Sequence, residues 1–301
     1  MTGPITVIIP AYGPGPHLEE VVDSLDGQLD DDSRIIISHS GGGDPTKRFA
    51  SNSRVTVLHS RDRLFAGAAR NKGLIIADTE WVAFVDEDVV PAPDWYAAVS
   101  RSIEAQSADC IVGSIGYKTS GGYWGISLWF LEFGPCHPYL GRREIKGGGS
   151  CNMIVRREFF TRMGGFPEQW RFAQDTVAHA RMNASGHTLV FEPSIVVLHH
   201  NPHHMSHMFR HMYGHGRYSA LVRRQYGDLP GASAVRWPIL SLGMWPARTV
   251  QITRRVMTAR KSPKIQFLLH LPGILGGLAA WSLGFANEAL RPKLKPSDVG
   301  G

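Results

Sequence analysis

Trp81-Val82-Ala83-Phe84-Val85-Asp86-Glu87-Asp88 is a run of five apolar residues followed at once by three acids. The apolar run has the length and composition of a buried strand. Open α/β sheets hold their ligands at the carboxyl ends of strands, where these acids stand. Three adjacent carboxylates repel one another unless something cationic sits among them. A divalent ion with oxygen ligands would satisfy them and would bridge a diphosphate. Alternate residues of an extended segment point the same way, so Asp86 and Asp88 can converge on one ion. The plainer alternative is a solvated acidic turn.

The flanking sequence supplies a sheet for this strand. Residues 5–9 are a short β-branched run closed by Pro10, and residues 12–16 form a Gly/Pro turn. Residues 17–29 carry Leu18, Val21, Val22, Leu25 and Leu29 at helical spacing. Further strands are expected at 34–37 and 54–58, then a helix at 64–77. Beyond the acids come a helix at 93–105 and a strand at 110–117. The Gly and aromatic stretch 121–141 shows no clean period and reads as loop with short elements. A strand at 151–155, helices at 157–163 and 176–185, short strands at 188–192 and 195–198, and a helix at 203–224 complete the pattern. Strands alternating with helices imply a mainly parallel sheet covered on both faces.

The 301 residues are 43% hydrophobic and 19% charged, enough for a packed core and unlike a disordered chain. The net charge of +6 and pI near 9.3 favour anionic partners without choosing among them. Cys110, Cys136 and Cys151 are too few and too irregular for a disulfide framework or a cysteine zinc site, which suits a reducing cytosol. Residues 1–9 lack the basic and long apolar regions of a signal peptide.

Several motifs occur in an order that resembles the family 2 glycosyltransferases of GT-A fold. Ile5-Thr6-Val7-Ile8-Ile9-Pro10-Ala11-Tyr12 is similar to the opening strand and nucleotide-contacting turn. Ala69-Arg70-Asn71-Lys72-Gly73 is similar to the helix facing the nucleotide, and Phe84-Val85-Asp86-Glu87-Asp88 to the DxD motif. Pro91-Ala92-Pro93-Asp94-Trp95 also fits. Gly147-Gly148-Gly149-Ser150-Cys151-Asn152 with Arg156-Arg157 resembles the acceptor-side segment. Met163-Gly164-Gly165-Phe166 and Gln174-Asp175-Thr176 resemble the segment bearing the catalytic base.

The resemblance implies a GT-A catalytic domain over residues 1–225 and a basic and apolar helical appendage over 226–301. It implies an inverting transfer of sugar from a nucleotide-diphosphate donor to an acceptor hydroxyl, with Mn²⁺ or Mg²⁺ as cofactor. Asp86 and Asp88 would serve the metal, Asp86 also approaching the sugar and ribose, and Asp175 would be the general base. Pro10, Ala11, Tyr12, Ser38, Arg70, Asp86 and Glu87 would contact the nucleotide sugar. Gly149, Asn152, Trp170 and Gln174 would lie on the acceptor side. The family often completes the metal's coordination with a histidine after the last sheet strand. His199 and His200 both stand there, and His199 is preferred. Two departures stand out. Gln174 replaces a usual glutamate, and Ser38-His39-Ser40-Gly41-Gly42-Gly43-Asp44 lacks the usual base-contacting acid, which leaves the nucleobase open.

His203, His207, His211 and His215 are each four apart and form one stripe on a helix. Imidazoles so spaced can share a metal ion. No acid or cysteine joins them at a recognisable ligand spacing, so a polar helix face is the expectation. Arg248, Arg254, Arg255, Arg260, Lys261 and Lys264 precede the apolar stretch 265–286. His270, Pro272 and several glycines interrupt that stretch, so it reads as a helix lying on an anionic membrane surface rather than crossing it. That places the protein in the cytoplasm, peripheral on the inner face of the cell membrane, with a lipid-linked or membrane-proximal acceptor. Two other classes stay open: a nucleotidyltransferase, disfavoured because Ala11 to Pro16 has no Lys or Arg, and a non-catalytic membrane or nucleic-acid adaptor on a decayed transferase fold. Nucleic-acid binding is not expected, since no basic stretch with interleaved aromatics is present.

Overall fold

A computed structural model of the chain describes residues 3–105, 108–118 and 122–291. The expectations for Gly121 and for 292–301 fall outside the described residues. In chain order the strands are β1 (Ile5–Tyr12), β2 (Arg34–Ser40), β3 (Val55–Ser60), β4 (Trp81–Val85), β5 (Val89–Pro91), β6 (Cys110–Tyr117), β7 (Arg143–Glu144), β8 (Asn152–Arg156) and β9 (Leu189–His199). The helices are α1 (Leu18–Asp26), α2 (Ala66–Ile76), α3 (Trp95–Glu104), α4 (Gly122–Glu132), α5 (Arg157–Arg162), α6 (Gln174–Ala184), α7 (Met205–Gln225), α8 (Ser233–Arg236), α9 (Ser241–Thr258) and α10 (Lys264–Leu290).

The chain divides into two compact units. The first comprises residues 1–116, 136–168 and 174–199. Its sheet has the order β3-β2-β1-β4-β8-β6-β9-β5, with β7 paired to β9. β3, β2, β1 and β4 run parallel, while β8 is antiparallel to β4 and to β6. The sheet as a whole is therefore mixed. Every residue of β4 is buried, which is why its sequence reads as an unbroken apolar run and not as an alternation. α2 lies close on β1 at Gly73, where a Cβ would stand 2.6 Å from Ile8 Cγ2. α1 buries Leu18, Val21, Val22 and Leu25, as its spacing requires.

Two sequence expectations change here. The strands read separately at 188–192 and 195–198 are one continuous β9 that runs through Pro193. Proline loses its donor but keeps its carbonyl, and that carbonyl accepts from Ser114 Oγ at 3.0 Å. The 121–141 stretch contains the 11-residue α4 where loop with short elements was expected. Gly125, Ser127, Leu128, Trp129, Phe130 and Leu131 are all buried, so the helix is covered around most of its circumference and shows no amphipathic period.

The second unit comprises residues 117–135, 169–173 and 200–301. It groups α7 with the C-terminal helices, whereas a single boundary at 225 was expected. The reason is close packing of α7 on α10. A Cβ on Gly216 would lie 1.9 Å from Trp281 O, and one on Gly284 2.1 Å from Tyr213 O, so the two backbones meet through glycines. Gly277 likewise admits Leu131 of α4. Along α10 the residues Phe267, His270, Ile274, Leu278, Trp281, Phe285 and Glu288 are buried at helical spacing. Glu288 is fully buried, and its carboxylate faces Arg217 at 2.9 Å, Arg291 at 3.7 Å and Arg224 at 3.8 Å. A buried carboxylate is tolerable only with such pairing.

Candidate active site

The acids of Asp86-Glu87-Asp88 sit at the carboxyl end of β4, beside the carboxyl end of its parallel neighbour β1. Each carboxylate has a different partner. Asp86 accepts from Arg70 of α2, in a close ion pair. Glu87 Oε1 accepts the backbone N–H of Tyr12 at 3.0 Å, fastening the tip of β1 to the acidic turn. Asp88 Oδ2 lies 3.6 Å from His199 Nε2. The last contact spans 111 residues of sequence and follows from strand pairing: Val89 opposes His199 in the antiparallel ladder of β5 and β9.

Glu87 differs from its neighbours in role as well as in partner. Burial pushes its carboxyl up to about 7, against the lowering effect of the Tyr12 N–H, with Asp88 and Asp86 adding to the rise. Its Oε2 is buried without a hydrogen-bond partner, and a Cβ at Gly15 would stand 2.8 Å from it. Gly15 also holds φ 49°, so the turn after β1 needs glycine for both conformation and space. Glu87 is thus a brace between two strand ends, where a nucleotide-sugar contact was expected.

The Ala69-Arg70-Asn71-Lys72-Gly73 motif divides its labour. Arg70 is 1% exposed, and its guanidinium also lies 5.2 Å from the centre of the Phe166 ring. Its Nε and Nη1 are buried with no protein acceptor, as is Ser38 Oγ on β2. Asn71 Oδ1 accepts from Phe166 N at 2.9 Å, while its Nδ2 donates to Phe166 O at 2.8 Å and Glu168 Oε1 at 2.9 Å. The Met163-Gly164-Gly165-Phe166 turn is therefore bound to α2. Gly73 supplies the close approach to β1 already described.

Beside this centre, Pro10, Ala11 and Tyr12 pair in register with Ser38, His39 and Ser40. Residues 38–40 thus belong to β2, which runs three residues past the expected strand end at 37 before the glycine turn begins. His39 Nε2 lies 2.7 Å from Gly13 O and must donate to it, so in the neutral ring Nδ1 accepts from His59 Nδ1 at 2.9 Å. Tyr12 is half exposed, and the Arg63 guanidinium lies 4.6 Å from the centre of its ring, an aromatic–cationic shelf that the sequence did not reveal.

The register Val85–Asn152 between β4 and β8 sets residues 147–151 alongside the acids. Burial, with Asp86 and Asp88 contributing, holds the Cys151 thiol well above its ordinary value, so it is a packed thiol and not a nucleophile. Asn152, expected on the acceptor side, is a buried crosslink. Its Oδ1 accepts from Trp95 Nε1 at 3.0 Å, and its Nδ2 donates to Ser114 O at 3.0 Å and Ile195 O at 2.9 Å. These bonds occupy its polar atoms inside the sheet. Gly149 lies in the adjoining loop at the edge of the acidic centre.

Asp175 lies in the first turn of α6, its Oδ1 accepting from Thr176 N at 2.7 Å. Ala173, two residues before it, holds φ 63°, a left-handed conformation rare outside glycine and typical of strained functional turns. One turn further on, His179 is buried. It accepts from Gly148 N at 3.4 Å through Nδ1 and meets Met153 Sδ at 3.2 Å through Nε2. Burial keeps His179 below the ordinary histidine value in spite of the Asp175 charge, so a neutral imidazole ties the helix of Asp175 to the Gly147–Gly149 loop. The four-residue spacing from Asp175 was the signal in the sequence, and it was missed. Gln174 opens the same helix with a buried Oε1 that lacks a partner. Trp170, expected on the acceptor side, belongs to the second unit, 2% exposed and edge-on to Tyr218 at 6.2 Å between ring centres, so it is packed. A polar cavity of about 580 Å³ lies elsewhere, at the amino ends of the strands between Pro4, Arg34, Trp81 and Arg156. It lacks the acidic centre and plays no part in this site.

Comparison with known proteins gives the family and the fold. The Glycosyl transferase family 2 profile matches residues 6–164, just over half of the chain. The chain belongs to glycosyl transferase family 2. Among relatives of this family 2 chain, the pre-mycofactocin glycosyltransferase of Mycobacterium tuberculosis is 24% identical, with 95% of this chain aligned. The chain spans 64% of that relative's length. The N-acetylglucosaminyl-diphospho-decaprenol L-rhamnosyltransferase of the same species is also 24% identical, over 67% of this chain and 78% of the relative. Among solved structures, the mannosyltransferase PcManGT from Pyrobaculum calidifontis, in complex with GDP-Man and Mn²⁺, superposes with a TM-score of 0.61 at 19% identity, covering 95% of this chain and 87% of that one. S. aureus TarS 1–349 in complex with UDP-GlcNAc gives 0.52 at 15% identity, covering 94% and 90%. The fold is GT-A, as the motifs implied.

Asn152→Ala removes one acceptor and two donors from buried partners. Each orphaned group costs about 1–3 kcal/mol, so the variant should lose several kcal/mol in denaturant unfolding. An acceptor-binding role would instead leave stability intact and raise KM for the acceptor.

Proposed function

We propose that this chain is an inverting, metal-dependent glycosyltransferase that moves a sugar from a nucleotide-diphosphate donor to an acceptor hydroxyl. The observation that carries this reading is the contact of Asp88 with His199 at 3.6 Å at the carboxyl edge of the sheet, two residues from Asp86 and its Arg70 partner. Carboxylate oxygens with one imidazole nitrogen suit Mn²⁺, and Mg²⁺ less closely. Bound there, the ion would offset negative charge growing on the leaving diphosphate. The buried guanidinium of Arg70, paired to Asp86, places a fixed positive charge beside the acidic turn where the diphosphate would lie. Pro10, Ala11, Tyr12 and Ser38 form the nucleotide side, with the Tyr12 ring offered to the base. The named ligands of the solved relatives make UDP- and GDP-sugars the first donors to examine.

Asp175 is the proposed base. Thr176 N holds one carboxylate oxygen, which leaves the other to take the proton from the acceptor hydroxyl as that oxygen attacks the anomeric carbon in line. Gly149 and Gln174 remain on the acceptor side of this reading. The second unit supports a membrane-proximal acceptor. Trp237, Ile239, Val250, Ile265, Leu268 and Leu269 are exposed apolar residues on or beside α9 and α10, among Arg254, Arg260, Lys261 and Lys264. α10 is long and apolar enough to cross a membrane, yet a stripe of it is buried in its own unit, which favours lying on the inner face of the cell membrane. One relative is named for a decaprenol-linked acceptor, and a lipid-linked acceptor is proposed here.

Asp175→Asn should bind nucleoside diphosphate within about twofold of the parent while turnover falls by roughly 10²–10⁴. Near-normal turnover would remove Asp175 from the mechanism. The full chain should sediment with vesicles containing anionic phospholipid, and less so in high salt. Recovery of all the protein in the supernatant would refute the membrane reading.

A further inference from the structure

The second unit gathers a cluster that the donor reaction does not use. Glu132, the last residue of α4, meets His211 and His215 of α7. His211 Nε2 lies 3.1 Å and His215 Nε2 3.4 Å from the same oxygen, Glu132 Oε1, and the three ligand atoms are all within 4.8 Å of one another. The acid missing from the histidine stripe at sequence level is thus supplied by another helix, 79 residues away from His211. His203 and His207 of the same stripe stay exposed, while His211, His215 and Glu132 are half-buried. Where α7 turns toward α4, the stripe stops being a solvent face.

We propose that Glu132, His211 and His215 form a second divalent-metal site, suited to Zn²⁺, separate from the acidic centre of the sheet. Zinc bound by nitrogen and oxygen at about 2.0–2.1 Å in a tetrahedron sets its ligand atoms roughly 3.3 Å apart, and the two nitrogen–oxygen separations here bracket that length. Histidines four apart on one helix present both rings to one ion. Two imidazoles and one carboxylate are a borderline donor set that favours zinc over the harder Mn²⁺ or Mg²⁺. The Phe172 ring, 4.4 Å from the His215 ring centre and edge-on to His211 at 5.4 Å, supplies an apolar wall. Three protein ligands leave the fourth position to water or a small anion. Joining α4 to α7, the ion would fasten two helices of this unit.

The test uses the full chain, stripped with a chelator and titrated with ZnCl₂ by calorimetry. A saturable Zn²⁺ equivalent is expected that persists when Asp88→Ala removes the acidic centre's contribution, is retained in His204→Ala, and is weakened at least tenfold when His211→Ala or Glu132→Gln is added to Asp88→Ala. Two measurements on the parent sequence do not depend on how the variants fold. Zn²⁺ should raise its Tm, and Co²⁺ should give the visible absorption of a four-coordinate ion. Absence of saturable Zn²⁺ binding by the parent would overturn the proposal. So would binding lost in Asp88→Ala, or kept within twofold in both double variants.

Discussion

Mutual repulsion among Asp86, Glu87 and Asp88 is the constraint around which the first unit is organised. Three carboxylates in sequence at a strand end are unfavourable unless each finds a different partner. Arg70 takes the first, the Tyr12 N–H the second and His199 the third, from α2, β1 and β9 respectively. Each partner also fixes an element. Pairing with Asp86 holds α2 against the sheet, the Glu87 brace sets the tip of β1 where a nucleotide would lie, and the short β5 exists to bring Val89 and Asp88 against His199. The turn at Gly15 and the close approach at Gly73 are the glycine positions that let this happen.

Much of this was legible in the sequence for one reason. Parallel strands buried on both faces appear as unbroken apolar runs, and the run 81–85 followed by acids places the ligand edge of the sheet without further information. What local pattern could not show were contacts made by pairing across long separations. Asn152 sits in a motif that resembles an acceptor-side segment, but three sheet partners claim its amide. Glu87 likewise sits inside the acidic motif yet serves as a brace. Trp170 precedes Asp175 closely in sequence, and burial against Tyr218 gives it a packing role. His179 was readable, since its spacing from Asp175 puts it one turn along the same helix.

The second unit was less legible because its helices are hidden by their own burial. α4 is covered around most of its surface and shows no period, so neither the helix nor Glu132 at its end stood out. The histidine stripe was visible, but an acid from a different helix was not. α10 read as an interrupted apolar stretch because the glycines that break the pattern, Gly277 and Gly284, are the contact points for α4 and α7. The same residues that weaken a membrane-spanning signal make the helix fit its neighbours.

The proposed activity depends on the acidic edge binding a nucleoside diphosphate through a divalent ion. Calorimetric titration of UDP and GDP into the full chain, with and without Mn²⁺, and into Asp88→Ala, tests it most directly. Binding of one of these nucleotides should need Mn²⁺ and disappear in Asp88→Ala. Binding of equal strength without the metal, or unchanged in Asp88→Ala, would contradict it.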